Sequence, residues 1–337
     1  MKLLSVIVPC YNAQSYMRNC IESLLKGGDA LEIILVNDGS TDKTAAIAEE
    51  YEKRFPEQVR AIHQENKGHG GAINTGLKAS TCAFVKIVDS DDWVDDHALQ
   101  EILRTLSAFT PEGRPDVIIS NYVYEKAGKR RKTAIRYGNT FPAQRLFTWE
   151  ETKPFRLGQY LLMHALIYRR DLLEKSKMTL PEHTFYVDNL YAYIPLAQVE
   201  TLYYLDLNFY RYFIGREGQS VQEQTMIRRI DQQLAVNSMM INAIDLAQIS
   251  SDKKRRYLTH YLEVVTAVSS ILLIKEGTKA SLEKKDALWA SLKDRDAVLY
   301  NGLRRRFLGR LLHPRGWFSR RAALFVYKIS RLIVGFN

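Results

Sequence analysis

The sequence has few cysteines, no leader-like start and no long apolar run. Three cysteines, Cys10, Cys20 and Cys82, are too few and too odd in number for a disulfide framework. Each lies in or beside an apolar pattern, so we expect reduced core thiols in a cytosolic protein. Residues 1–9 lack the layout of a signal peptide and indicate a first strand instead. Because no apolar run approaches the roughly 20 residues of a membrane-spanning helix, we expect no membrane span.

Acidic residues are missing from the end of the chain. Residues 297–337 hold nine Lys or Arg and no acid, whereas the rest of the chain carries 39 basic and 38 acidic residues. The net charge of +10 therefore belongs to the tail. Within residues 303–337 the basic residues alternate with Trp, Phe and Leu, and Pro314-Arg315-Gly316 divides the segment into two helical pieces. Such a segment is typical of a helix on an anionic membrane surface. The alternative is that its second piece packs back on the preceding helices.

A glycine-rich phosphate loop is also missing after the first strand, which ends Pro9-Cys10-Tyr11-Asn12. Its absence counts against a dinucleotide-binding or P-loop protein. Apolar runs nevertheless alternate with helical patterns, which predicts an α/β fold with a doubly wound, mostly parallel sheet. The expected strands cover residues 3–8, 31–36, 59–63 and 84–88, and the expected helices 14–25, 44–54, 70–79 and 96–108.

The chain is organised around residues 84–93, FVKIVDSDDW, where a buried strand runs straight into a cluster of carboxylates. These are Asp89, Asp91 and Asp92. The carboxyl end of such a strand is where an open α/β sheet binds its ligands. Three acids repel each other, and a hard divalent cation such as Mg²⁺ or Mn²⁺ would offset that repulsion and hold substrate phosphates. The alternative is an acidic turn that caps the next helix from Asp95 or Asp96.

Four blocks of sequence follow each other in a recognisable order. They are SVIVPCYNAQSYMRNCIESLL, LEIILVNDGSTD, ENKGHGGAINTGL and FVKIVDSDDW. Together, over residues 3–105, they resemble the nucleotide-binding half of family-2 glycosyltransferases. The resemblance implies the GT-A fold, a nucleotide-sugar donor with UDP as the expected nucleotide, a divalent metal (Mn²⁺ or Mg²⁺) and inversion of the anomeric carbon. It also implies a role in bacterial cell-surface or cell-wall polysaccharide synthesis, with a glycan or lipid-linked acceptor.

The resemblance also assigns donor-binding roles. Tyr11 offers a flat face on which a base can stack, and Asp38 matches the aspartate with which the family reads uracil. Glycines before a helix let the backbone approach a diphosphate closely, where Lys67 or His69 could assist. The expected donor-binding set is Pro9, Tyr11, Asn12, Asp38, Lys67, Gly71, Asn74, Asp89, Ser90 and Arg216. Without the resemblance, Tyr11 would be interpreted as a core aromatic, Asp38 as a turn residue and Lys67 as a solvated loop lysine.

The resemblance gives the three aspartates of the acidic block different roles. Asp91 is the direct metal ligand bridging to the diphosphate, Asp89 lies near the ribose and the metal, and Asp92 either stands behind them or caps a helix. Residues 184–191 are similar to the family's Glu-Asp-x-x-Phe block, whose aspartate is the general base for the acceptor hydroxyl. Asp188 matches that aspartate, but Val187 stands where the glutamate usually does. The alternative is that Asp188 only caps the following helix.

We expect residues 1–221 to form the GT-A domain, with 1–105 as the nucleotide-sugar half and 106–221 as the acceptor half. Residues 222–302 form a helical extension and 303–337 the membrane-surface tail. Helical patterns cover 149–160 and 225–249, and strands are expected over 202–205 and 209–213. His164 either touches an acceptor or is structural, and Arg216 either places charge near the diphosphate or lies in a surface turn. The Gln-x-x-Arg-Trp motif of processive relatives is absent, which favours addition of a single sugar.

Three other functions compete with this interpretation. A sugar-nucleotide pyrophosphorylase would need a glycine- and arginine-rich loop after the first strand, which is absent. A catalytically impaired nucleotide-sugar-binding module is supported by Val187. Nucleic-acid binding through the tail would be salt-dependent, but the tail is too apolar to favour it. The prediction is a metal-dependent inverting glycosyltransferase without a nucleic-acid partner, cytoplasmic and peripheral on the inner face of the cell membrane.

Overall fold

The computed structural model describes residues 2–126, 132–156, 158–215, 219, 222–313 and 316–334. Its backbone divides into two compact units. The first, which we call the sheet unit, comprises residues 1–154 and 161–214. The second, the helical unit, comprises residues 155–160 and 215–337. The domain boundaries drawn from the sequence, which also separate a membrane-surface tail, stay predictions.

The sheet unit is built on one mixed sheet. Its strands among the described residues are β1 Leu4–Cys10, β2 Leu31–Asp38, β3 Val59–Gln64, β4 Phe84–Ile87, β5 Trp93–Val94, β6 Val117–Lys126, β7 Thr133–Ile135, β8 Leu146–Thr148, β9 Leu166–Arg169 and β10 Thr201–Ile214. They lie in the order β3-β2-β1-β4-β9-β6-β10-β5, with β7 on β6 and β8 on β10. Neighbours among β1 to β4 are parallel, as are β6 and β10. Strand β9 runs antiparallel between β4 and β6.

Helices cover the sheet. They are α1 Met17–Leu25, α2 Thr44–Arg54, α3 Gly68–Ala79, α4 Asp96–Ala108, α5 Arg170–Lys175 and α6 Asp188–Leu196. Every residue of β1 and β2 is buried, as expected for central strands covered on both faces. Helix α3 approaches β1 so closely that a Cβ on Gly76 would lie 2.2 Å from Ile7 Cγ2. The predicted α/β architecture with a mostly parallel sheet is confirmed.

Local patterns misled in two places. The helix predicted over 149–160 is wrong, because among its described residues only a 3₁₀ turn forms, at Trp149–Glu151, and Pro154 follows it. The two strands expected over 202–205 and 209–213 are one strand, β10, whose register with β6 shifts between Leu205 and Tyr210. A bulge rather than a turn therefore absorbs the polar residues Asp206 and Asn208.

The helical unit consists of packed helices. Its described helices are α7 Glu223–Arg228, α8 Ile230–Ala243, α9 Asp252–Glu276, α10 Lys279–Arg295, α11 Ala297–Arg305, α12 Phe307–Leu312 and α13 Trp317–Val334. Instead of the one helix expected over 225–249, α7 and α8 form, with a break at Arg229. Leu312 and Ala323, from the two tail helices, pack in one cluster with Ile271 and Ile274 of α9. Part of the tail thus packs back on the preceding helices.

One helix among the described residues, α9, is long and apolar enough to cross a membrane by length and composition alone. Its most apolar window has a mean hydropathy of 1.5, and 78% of that window is buried inside the protein. Helices of a protein core meet the same two criteria. All three cysteines are buried and unpaired, as the sequence predicted.

Candidate active site

Polar side chains gather where the central parallel strands end. Tyr11 and Asn12 directly follow β1, Asp38 is the last residue of β2, and Asp89 follows β4 by two residues. The carboxyl edge of the sheet therefore brings together residues that are far apart in sequence, which is the usual place for a ligand in an open α/β sheet.

The acidic cluster is held by one histidine and one tyrosine. His69 Nε2 lies 2.8 Å from Asp89 Oδ1, and the Asp89 amide donates to the Tyr210 hydroxyl oxygen over 3.1 Å. That hydroxyl donates to Asp92 Oδ2 over 2.6 Å, while the Phe213 amide donates to Asp92 Oδ1 over 2.7 Å. Asp92 is therefore a buried anchor for β10. It does not cap the next helix, because Asp95 does so by accepting from the backbone of α4.

Burial and mutual repulsion give the carboxylates different proton affinities. Burial first, and then the charges of Asp91 and Asp89, raise the pKa of Asp92 well above its ordinary value. Burial also acts to raise the pKa of Asp89, but the hydrogen bond and charge of His69 outweigh it, so this pKa is lowered. The pKa of His69 is raised because its bond to Asp89 outweighs the effect of burial. The cluster thus carries a stable carboxylate at Asp89.

A buried lysine lies beneath the acids. Lys86, in β4, is fully buried, and its ammonium donates to the carbonyl oxygens of Met163, His164 and Leu166 at 3.0, 2.6 and 3.2 Å. It also lies 4.9 Å from the centre of the Tyr210 ring. Burial lowers the pKa of Lys86 to about 7, and the charges of Asp89 and Asp92 oppose that shift. Lys86 therefore ties the central strand to the turn before β9.

That turn carries His164, which is buried among aromatic rings. The centre of its ring lies 4.5 Å from that of Tyr210 and 4.3 Å from that of Tyr212. Burial lowers the pKa of His164 to about 4, so the neutral form prevails, and its buried Nδ1 has no hydrogen-bond partner among the residues that the structure describes. Such packing favours the structural interpretation of His164 over contact with an acceptor.

The donor set of the cluster suits a hard divalent cation. Asp89, Asp92 and His164 each offer a ligand atom, and these atoms lie within 4.8 Å of one another, the one such group among the described residues. Both Asp92 oxygens already accept hydrogen bonds, whereas the orphaned His164 nitrogen is a group that a metal could satisfy. Asp91, the ligand expected from sequence, is partly exposed beside them. Carboxylate oxygens and a neutral imidazole are the donors that Mn²⁺ accepts.

The residues predicted to bind the nucleobase lie where β1 and β2 end. Asp38 is 3% exposed, and its Oδ1 accepts from Gln64 Nε2 at 2.7 Å and from the Lys67 amide at 2.8 Å. Within the described part of the chain its Oδ2 has no such partner. Tyr11 is 52% exposed, which leaves a ring face for stacking. Asn12 braces the loop after β2, since its Oδ1 accepts from the Thr41 amide at 2.9 Å.

The remaining donor-binding candidates are spread more widely. Pro9 is buried within β1 and Ser90 is buried inside the acidic cluster. Gly71 lies in the first turn of α3, and the Lys67 ammonium lies 3.6 Å from Glu182. Asn74 uses its amide on Leu180: Nδ2 donates to the carbonyl over 2.8 Å, and Oδ1 accepts from the amide over 3.1 Å. Arg216 lies outside the described residues.

The predicted general base, Asp188, lies at the start of α6. Asp188 is the first residue of that helix, and within the described part of the chain the residue before it, Val187, makes no capping hydrogen bond through its side chain. Burial raises the pKa of Asp188 to about 6; the charge of His69 lowers it and that of Asp89 raises it. The preceding residue, Val187, is fully buried. The position that usually holds a glutamate therefore belongs to the hydrophobic core here, while Asp188 lies within electrostatic reach of the acidic cluster.

The sequence model of glycosyl transferase family 2 matches residues 5–175, half of the chain. The chain belongs to this family. Similar family members include the putative glycosyltransferase EpsH of Bacillus subtilis, which is 27% identical over 308 residues, or 83% of this chain and 80% of EpsH. This glycosyltransferase therefore resembles EpsH over most of the length of both proteins.

Solved structures show the same GT-A fold. Residues 1–349 of Staphylococcus aureus TarS, in complex with UDP-GlcNAc, match with a TM-score of 0.71 at 23% identity, covering 96% of this glycosyltransferase and 88% of that chain. The mannosyltransferase PcManGT of Pyrobaculum calidifontis, in complex with GDP-Man and Mn²⁺, matches with a TM-score of 0.55 at 15% identity, covering 98% and 86%. Each of the two matches covers more residues than the sheet unit contains.

The sequence pointed to no role for Lys86 or Tyr210 at this glycosyltransferase site, and to His69 only as a helper beside the diphosphate. Lys86 carried a signal, because a charge inside an otherwise apolar strand needs buried partners. The ring of His69 and the hydroxyl of Tyr210 carried none, since each meets its carboxylate across a long stretch of chain, 20 residues for His69 and 118 for Tyr210.

Proposed function

We propose that this glycosyltransferase moves a hexosyl or N-acetylhexosaminyl unit from a UDP-sugar to a hydroxyl of a glycan or lipid-linked acceptor, with inversion. The observation that carries the proposal is the placement of Asp188. A carboxylate with a pKa of about 6 begins a helix within electrostatic reach of the His69–Asp89 pair. A general base works best when its pKa lies near the operating pH.

The assignment of a UDP-sugar as donor rests on Asp38, on Tyr11 and on the similarity of the fold to that of TarS. Asp38 is held in place through Oδ1, so its second oxygen is suited to accept the N–H of a uracil. The exposed ring of Tyr11 is suited to stack on that base. TarS binds UDP-GlcNAc and has the same fold, which supports UDP over other nucleotides. We assign Pro9, Asn12, Lys67, Gly71 and Ser90 to the wall around the donor.

We assign Asp91 and Asp89 to hold a divalent cation, with His164 and Asp92 behind them. When bound, Mn²⁺ or Mg²⁺ would supply positive charge to the departing diphosphate. PcManGT, which shares the fold, carries Mn²⁺, which supports this choice. His69 keeps Asp89 ionised and oriented.

In the proposed reaction, Asp188 acts as the general base. Asp188 takes the proton of the acceptor hydroxyl while that oxygen attacks the anomeric carbon from the face opposite the nucleotide. The bond from the anomeric carbon to the diphosphate oxygen breaks, and its electron pair leaves with UDP. One displacement inverts the anomeric carbon. Because Val187 replaces the usual acid, Asp188 performs this step without a neighbouring carboxylate on its own segment.

We also propose that the tail binds an anionic membrane surface, which would place the enzyme on the inner face of the cell membrane beside a lipid-linked acceptor. On α13, Trp317, Phe318 and Phe325 are 55, 82 and 66% exposed. The Arg321 guanidinium lies 4.5 Å from the centre of the Trp317 ring. Exposed aromatic rings beside cations are suited to lipid headgroups, and no acid follows Asp296 to repel them.

A donor screen tests the enzymatic proposal. Thermal shift of the protein with Mn²⁺ and a panel of UDP- and GDP-sugars should single out one UDP-sugar. Release of UDP from that donor is then measured for the native protein and for Asp188→Asn. Binding without any UDP release, even with added glycan acceptors, would identify a binding module instead. Preference for a GDP-sugar would contradict the UDP assignment.

Vesicle flotation tests the membrane proposal. Removing the whole tail would also remove Leu312 and Ala323 from their cluster, so exposed residues are the better target. We expect Phe318→Ser with Phe325→Ser to abolish binding to anionic vesicles, and Met239→Ser, an exposed apolar residue on α8, to leave it unchanged. Binding that ignores both lipid charge and salt would contradict the proposal.

A further inference from the structure

A short segment connects the proposed general base, Asp188, to the part of the sheet unit that we assign to the nucleotide-sugar donor. Residues 177–187, which we call the strap, run across the amino-terminal turns of α3 and lead directly into α6. The amide of Asn74 pairs with both backbone groups of Leu180, over 2.8 and 3.1 Å. One side chain thus holds one strap residue as a neighbouring strand would, and Leu180 itself is buried.

Helix α3 is shaped to receive the strap. The His183 amide donates to the Lys67 carbonyl over 2.8 Å. A Cβ on Gly68 would lie 2.8 Å from the His183 nitrogen, and one on Gly70 would lie 2.4 Å from the Pro181 carbonyl oxygen. Real Cβ atoms essentially never approach other atoms so closely, so only glycine at these positions lets the strap lie against the helix.

The strap adopts a backbone that needs outside support. Lys177, His183 and Tyr186 have φ angles of 51, 50 and 67°, in the left-handed region that non-glycine residues rarely occupy. Such conformations persist only where the surroundings determine them. The surroundings here are the α3 contacts at one end of the strap and the buried Val187 at the other.

Both sides of the reaction therefore depend on the same helix end. Helix α3 carries His69, which orients Asp89, and Asn74, which holds the strap that ends at Asp188. We propose that Asn74 is a positioning residue that sets the place of Asp188 relative to the donor, and not a ligand of the donor. Gly70 serves the same purpose by admitting the strap. This inference rests on the assignment of Asp188 as the general base.

The consequence is a separation of donor affinity from turnover. A misplacement of the base by about 1 Å costs on the order of 10²-fold in rate, whereas donor residues on β1 and β2 are untouched. We expect Asn74→Ala to lower kcat roughly 10- to 100-fold and to change the donor Kd by less than about threefold. Gly70→Ala, whose new Cβ would displace the strap at the Pro181 carbonyl oxygen, should give the same separation.

The experiment measures kcat for transfer, donor KM, and UDP affinity by calorimetry with Mn²⁺ for these two variants. The matched controls are Asn19→Ala, at an exposed asparagine on α1, and Gly302→Ala, whose Cβ would meet no atom of the described residues within 4 Å; both should behave as the native protein. Asn74→Asp, which keeps the acceptor for the Leu180 amide, should lie between native and alanine and serves if the alanine variant does not fold. A donor Kd weakened tenfold or more at native kcat would make Asn74 a donor ligand and overturn the inference.

A double variant separates this inference from the proposed function. If Asn74 acts through Asp188, Asn74→Ala should cost little further turnover in an Asp188→Asn background. Full additivity of the two losses would refute the positioning role while leaving the base assignment intact. Native turnover of Asp188→Asn alone would instead refute the proposed function, and the inference with it.

Discussion

Protonation of Asp188 should control the rate of sugar transfer between pH 5 and 8. Burial raises the pKa of this carboxyl to about 6. The ionised, base-competent fraction is then ~0.9 at pH 7 and ~0.1 at pH 5, a loss of roughly tenfold. A carboxyl with the ordinary pKa of about 3.9 would lose less than ~10% over the same interval. The structure thus predicts a steep acidic limb where an exposed aspartate would show none.

The raised pKa of Asp188 also affects the stability of the fold. A rise in pH should increase the activity but lower the free energy of unfolding. Because the folded pKa lies above the unfolded one, the unfolded state gives up this proton first as pH rises. The contribution of Asp188 to stability is therefore fully present below about pH 4 and is lost as pH rises through about 6. At pH 7 the loss is at most about 3 kcal/mol, from ~1.4 kcal/mol per pKa unit. Asp188→Asn cannot ionise and should be more stable than the native protein at pH 7.

Two measurements decide the matter. Transfer rates at saturating donor, acceptor and Mn²⁺ are recorded from pH 5 to 8, and urea unfolding of native and Asp188→Asn protein is compared at pH 4 and pH 7. We expect turnover of the variant to fall about 10²- to 10⁴-fold, with the stability difference growing toward pH 7. A flat pH profile of the native enzyme, or a variant that is less stable at pH 7, would refute the reasoning.

Other perturbations address the rest of the sheet unit. Asp91→Ala should weaken Mn²⁺-dependent UDP binding in calorimetric titration, because a carboxylate assigned to the cation is lost; unchanged affinity would remove Asp91 from the metal site. Lys86 has a folded pKa of about 7, below its unfolded value, so native stability in urea should rise between about pH 7 and 10 relative to Lys86→Met, and parallel curves would contradict this. Gly76→Ala forces a Cβ against Ile7 and should cost about 1–3 kcal/mol, which a lowered Tm would show, whereas Gly302→Ala should not lower it.

Much of the architecture was readable from local pattern. The short runs rich in Val, Ile and Leu at β1 and β2 are typical of strands covered on both faces, and their alternation with helices predicts a parallel sheet. The carboxylates after β4 had to lie at the carboxyl edge of that sheet, so the place of the site followed as well. The failed helix over 149–160 shows the limit, since Pro154 and a short 3₁₀ turn outweighed a helical spacing.

What the carboxylates and amides touch was decided only in three dimensions. Asp92 meets Tyr210 across 118 residues, Lys86 meets carbonyls about 80 residues away, and Asn74 meets Leu180 across 106. Periodicity reports which face of an element is buried, not which distant polar group will satisfy a buried charge or amide there. Local sequence patterns were enough to predict the sheet, the family and the edge that holds the acids. The tertiary structure decided that Asp92 anchors a strand, that Lys86 lies beneath the acids and that Asn74 grips the strap, because each requires the pairing of segments that only the folded chain brings together.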